Sequence, residues 1–180
     1  MTISSLFRFM FKKAGVFLAL ALVLAACSPS YNWREMDVAD GHVRAAFPAR
    51  VSTETRELRL DTHTLPFTLA SATVGEAVFA VGSAPLPPEI AASPAARQAL
   101  LGVALMRSLY ANMQAPPPKE WPAFGQDIEV HGKAVGKPGW LHAKVWVTDT
   151  MLIEAVAAGT EESLPAERAR EFLRSVVLKP

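Results

Sequence analysis

WLHAKVWVTDTMLIEAVAA, residues 140–158, decides the fold. Side chains alternate across an extended strand. Leu141, Ala143, Val145 and Val147 therefore share one face, and Trp140, His142, Lys144 and Trp146 share the other. Asp149-Thr150 supplies turn chemistry, and Met151 to Ala158 follows as an apolar partner strand. The stretch predicts an antiparallel hairpin.

Working upstream, the same period recurs. Gln126 to His131 reads as a short strand, with turn signals at His131-Gly132 and at Gly136-Lys137-Pro138-Gly139. Ala77 to Ser83 is almost wholly apolar, as in a strand buried on both faces. Before it lie Gly41 to Phe47, ended by Pro48, then Val51 to Leu60, a turn at Asp61-Thr62-His63, and Thr64 to Val74. Pro66 predicts an edge or a bulge in that last segment.

Two helices break the strand pattern. Ser93-Pro94 is an N-cap followed by a first-turn proline, and the helix runs to about Met113. Its apolar stripe carries Leu100, Leu101, Val103, Ala104, Leu105 and Leu109, with Gly102 suited to close packing on a sheet. The last helix opens at Ser163 and Pro165, carries Phe172, Leu173, Val176 and Val177, and turns Arg168, Arg170 and Arg174 to water. Between the helices, the proline-rich loop from Gln114 to Gly125 is either a stiff connection or a dock for a protein partner. The expected class is α+β: an antiparallel sheet packed with two helices, preceded by a signal-peptide helix.

The order of elements carries a resemblance. The strand entering Phe47-Pro48, the Phe79 strand before the long helix, the late hairpin and the closing Phe172-Leu173-Arg174-Ser175 resemble the PsbP-like α/β/α sandwich. That family implies an accessory or scaffolding role without catalysis; a cystatin-like or other α+β fold is the rival.

The amino terminus says where the protein lives. Arg8, Lys12 and Lys13 precede an uncharged run, Ala14 to Ala26. A basic start and an apolar core of about 7–15 residues form a secretory signal. A membrane-spanning helix needs about 20 apolar residues. The run ends in Leu24-Ala25-Ala26-Cys27, which resembles the bacterial lipoprotein lipobox. The resemblance implies recognition of Leu24, Ala25 and Ala26 by the signal peptidase, cleavage before Cys27, and diacylglycerol on the Cys27 thiol with a further acyl chain, such as palmitate, on its amino group. An ordinary signal peptide with a chance cysteine and a retained membrane anchor are the alternatives. Cys27 is the single cysteine of the chain, so no intramolecular disulfide forms. Ser28 rather than Asp follows it, which in a Gram-negative cell implies the periplasmic face of the outer membrane. The expected division is a signal peptide over 1–26, a lipidated cysteine and tether over 27–39, and one domain over 40–180. Tyr31 and Trp33 in the tether either reach the membrane interface or pack on the domain edge.

Charge excludes one class of partner. Beyond residue 26 the chain has 15 basic and 17 acidic residues, a formal −2. A nucleic-acid binder shows a basic bias. The partners implied are the membrane, through the lipid, and envelope proteins; no small-molecule ligand or cofactor is identified.

Two groups of side chains could do chemistry. Asp127, Glu129 and His131 share one face of a strand, where two carboxylates and an imidazole suit a divalent metal or acid–base work. Their steps of about 6–7 Å are too wide for a compact site without other groups, and the plainer reading is a solvated edge. The stripe Trp140, His142, Lys144 and Trp146 is a candidate binding surface for a sugar, lipid headgroup or peptide, unless the last helix covers it. His42 and His63 have no metal-ligand partners at suitable spacing. The chain lacks the nucleophile elbow, zincin and phosphate-loop motifs. The expectation is a lipid-anchored envelope protein that binds or scaffolds, with no metal and no catalytic residue. The alternative is a metal-assisted envelope hydrolase using Asp127, Glu129 and His131.

Overall fold

The computed structural model describes residues 31–93, 95–134 and 136–179. The stretch expected to be a signal peptide, with Leu24, Ala25 and Ala26, the expected lipidation site Cys27, and Pro94 lie outside them. The described residues form an α+β domain of nine strands in two antiparallel sheets with three helices.

The hairpin reads as the sequence predicts. β7 (Lys137–Val147) pairs antiparallel with β8 (Met151–Gly159), with Trp140 opposite Gly159 and Val147 opposite Leu152. With β3 (Ser52–Leu60), β4 (His63–Val74), β5 (Ala77–Pro85) and β6 (Ile128–Ala134) they build a six-stranded sheet of order β3-β4-β5-β8-β7-β6. Leu60 faces His63 and Val74 faces Ala77, so Asp61-Thr62 and Gly75-Glu76 are two-residue turns. Asp61 and Gly75 supply the positive φ (49° and 60°) that such turns demand. Pro66 sits in the second strand without a bulge, opposite Glu57. It is tolerated because β5 pairs only with Thr68 to Val74, leaving the Pro66 end of β4 with one neighbour.

Five expectations are corrected. The tether does not extend to residue 39: β1 (Arg34–Val38) pairs with β2 (Val43–Phe47), and the two-residue β9 (Val177–Leu178) joins β2 from the far end of the chain. This second sheet means that one sheet with two helices understates the architecture. Val177 accordingly leaves the last helix for a strand. His131-Gly132 is not a turn but lies inside β6, opposite Trp140 and Gly139. Gly132 is bare because a Cβ there would collide with the Met113 carbonyl, which accepts the Lys133 N–H at 2.7 Å. Lastly, a short extra helix, α1 (Pro88–Ala91), precedes the long α2 (Ala95–Asn112) and α3 (Ala166–Ser175).

Two apolar cores lie on opposite faces of the six-stranded sheet. On one, Leu101, Ala104, Leu105 and Leu109 of α2 pack on Leu65, Phe67, Leu141, Ala143, Val145 and Leu152. Gly102 brings α2 against Val147 and the Phe124 ring. The loop after α2 is pinned by Tyr110 and Trp121, whose rings meet edge to face at 5.7 Å. On the other face, Ala169, Phe172 and Leu173 of α3 and Val43, Ala45 and Phe47 of β2 cover Phe79, Val81, Trp140, Ile153 and Ala155. Phe172 lies 5.5 Å from both Phe47 and Phe79. Tyr31 and Trp33 stack on each other at 5.9 Å and meet the edge of Phe79, so they pack on the domain edge. Among the described residues no helix is long and apolar enough to cross a membrane.

Candidate functional site

The two groups singled out in the sequence share one face of adjacent strands. Glu129 is opposite His142, and His131 is opposite Trp140. Ile128 and Val130 turn into the α2 core, which sends Glu129 and His131 to the α3 side. Trp140 and His142 are sunk on that side, 5% and 7% exposed.

The ionisable side chains divide into two groups. Asp127 Oδ1 lies 2.9 Å from His142 Nε2 and 3.9 Å from Lys144 Nζ. Glu129 Oε1 lies 2.7 Å from His131 Nε2. Among the described residues no three His, Cys, Asp or Glu groups converge as a metal set. Asp127, Glu129 and His131 therefore share an edge, as expected, but not a common centre. The His131 ring stacks on Trp140 at 5.9 Å and 13°, and Trp140 lies 6.3 Å from His142. Each imidazole meets one carboxylate through its Nε2.

The opposite wall comes from α3 and its lead-in. Gly159 lacks a side chain where a Cβ would fall 2.9 Å from Leu164 Cβ, so the chain turns tightly off β8. Ser163 Oγ accepts the Thr160 N–H at 2.9 Å, and the Leu164 N–H reaches the Thr160 carbonyl at 2.9 Å. The result is a cleft of about 310 Å³ lined by Glu129, His131, Trp140, His142, Glu161, Leu164, Ala166 and Arg170. Its volume lies at the lower end for small-ligand pockets, about 300–1,000 Å³. Arg170 and Glu161 are exposed and share no salt bridge with each other, so the cleft presents a cation and an anion at its mouth.

The stripe on β7 splits. Trp140 and His142 line the cleft. Lys144 is drawn to Asp127, and Trp146 lies beneath Gly125, where a Cβ would stand 2.9 Å from its Nε1. The last helix packs against this face of β7, and beside it the cleft is lined by Glu129 and His131 of β6. Sequence reasoning missed Glu161 and the cleft role of Arg170. Arg170 follows Ala166 by four residues, so the two share a helix face; that spacing was the available signal.

Neither a protein-family model, nor a curated protein, nor a solved structure matches the chain.

Proposed function

We propose that the protein is a lipid-anchored cell-envelope lipoprotein whose domain binds rather than catalyses, using the cleft between the β6–β7 edge and the start of α3. The anchor rests on Leu24-Ala25-Ala26-Cys27 behind a basic and apolar leader. The single observation that carries the binding role is the cleft itself. A sunken Trp140 and two oriented imidazoles form one wall, and Arg170 and Glu161 stand across from them. Convergent polar groups on an apolar floor are the makings of a small-ligand site. We also read the arrangement of α2, sheet and α3 as a PsbP-like sandwich; the element order supports this, and the role it suggests is an accessory one. In a Gram-negative cell the site would face the periplasm from the outer membrane.

Two measurements test this reading. The N-terminal peptide from membranes is expected to begin at Cys27 and carry acyl mass, and Cys27→Ala is expected to abolish both. An unmodified peptide beginning elsewhere refutes the anchor. For the cleft, His131→Ala combined with Arg170→Ala removes two exposed side chains that line it. Native mass spectrometry after equilibration with an envelope small-molecule extract should show a ligand on the wild type that the variant loses. Identical spectra refute the cleft as the binding site.

A further inference from the structure

We infer that the domain lies directly on the leaflet that holds its lipid, with the surface around Tyr31 against anionic phospholipid headgroups. This rests on the acylation of Cys27 proposed above.

The first argument is length. The packed domain begins at Tyr31, which is stacked on Trp33 and set against Phe79, and the Asn32 N–H donates to the Pro48 carbonyl at 2.7 Å. Only residues 28–30 separate Tyr31 from Cys27. An extended chain gains at most about 3.6 Å per residue, so Tyr31 stays within about 14 Å of the lipidated cysteine. A domain of this size has a radius of gyration of about 15 Å and is therefore roughly 40 Å across. The leash is shorter than the body, so the side bearing Tyr31 is held at the membrane.

The second argument is charge. Arg34 follows Tyr31 by three residues, and Arg50 follows Pro48 by two. Both are exposed, and neither takes part in a salt bridge among the described residues. Arg168 lies 5.0 Å from the Tyr31 ring centroid, but Glu171 at 2.7 Å and the nearby Glu167 offset its charge. The chain beyond the leader is net acidic. The two unpaired cations Arg34 and Arg50 near the point of attachment are thus a local feature. Cations within a Debye length of an anionic surface, about 8 Å at physiological salt, are drawn to it.

The test uses the full acylated protein in vesicles of phosphatidylethanolamine and phosphatidylglycerol containing a headgroup-spin-labelled lipid. With Cys27 acylated, an introduced cysteine is the one free thiol. Ser52→Cys, near Arg50, and Ala111→Cys, on the far face of α2, each receive a fluorophore. Quenching is expected to be several-fold stronger at 52 than at 111. Arg34→Glu with Arg50→Glu is expected to remove most of that difference. Equal quenching at both labels, with acylation confirmed by intact mass, overturns the inference and leaves the anchor standing. A difference that survives the double substitution overturns the headgroup contact, because the leash alone would then set the orientation. An unacylated protein overturns the anchor and the inference together.

Discussion

Glu154→Gln is expected to stabilise the domain in a strictly pH-dependent way. Glu154 lies on β8 between Gly82 and Val145, on the α2 side of the sheet. The bare Gly82 makes room for it: a Cβ there would collide with the Phe67 ring and come within 3.0 Å of Glu154 Cγ. The residue keeps some exposure, yet its Oε2 is sealed from solvent and has no hydrogen-bond partner. Burial raises its pKa from 4.5 to about 7, with Arg56 a lesser opposing influence. The folded state thus holds a proton that the unfolded chain releases. This group's stabilising effect is complete below pH 4.5 and is lost as pH rises through about 7. A shift of about 2.5 units at 1.36 kcal/mol each corresponds to about 3 kcal/mol. That is a ceiling, since water reaching the other oxygen reduces the penalty. Gln cannot ionise, so the variant should match the wild type near pH 4.5 and exceed it by up to about 3 kcal/mol above pH 8. Urea denaturation followed by tryptophan fluorescence across this range measures the difference. A constant difference at every pH, of either sign, would refute the buried-charge account.

Gly132→Ala is expected to cost about 2 kcal/mol or more, because the obstacle is the Met113 backbone carbonyl rather than a side chain that can rotate away; an unchanged urea midpoint would contradict the close approach of the α2 end to β6. Asp37→Asn probes the opposite sign of linkage. Hydrogen bonds from Arg44 and Lys179 hold the Asp37 carboxyl down to about 2, so its contribution is present above pH 3.8 and fades as pH falls through about 2. The variant should melt lower than the wild type at neutral pH, with the gap closing in acid; a gap that widens in acid would show that the ion pairs do not persist in solution.

The alternation in residues 140–158 was enough to place β7 and β8, because both strands bury one face over most of their length and the period of two fixes register. The apolar run at Ala77 to Ser83 likewise placed a central strand. β1 was illegible for a physical reason: four of its five residues, from Arg34 to Asp37, are exposed, so no buried face stamps its pattern on the sequence. Gly132 misled because glycine serves turns and close backbone contacts alike, and only the position of Met113 distinguishes them.

The cleft exposes a different limit. Asp127, Glu129 and His131 were visible as one face, and Trp140 and His142 as another, yet their union depends on the register of β6 against β7. A slip of one residue would have sent Glu129 and His131 to the α2 core. Ile128 and Val130 forbid that slip, since their burial at 2% each fixes which side the polar residues take. The same apolar residues that secure the fold therefore bring the two imidazoles to one wall. Arg170 obeys the same logic from across the cleft. Phe172 and Leu173 commit one face of α3 to the core, and the helical period then turns Arg170 towards the β6 edge. The chemistry of the site is thus a by-product of packing, legible once the neighbours of each strand and helix are known.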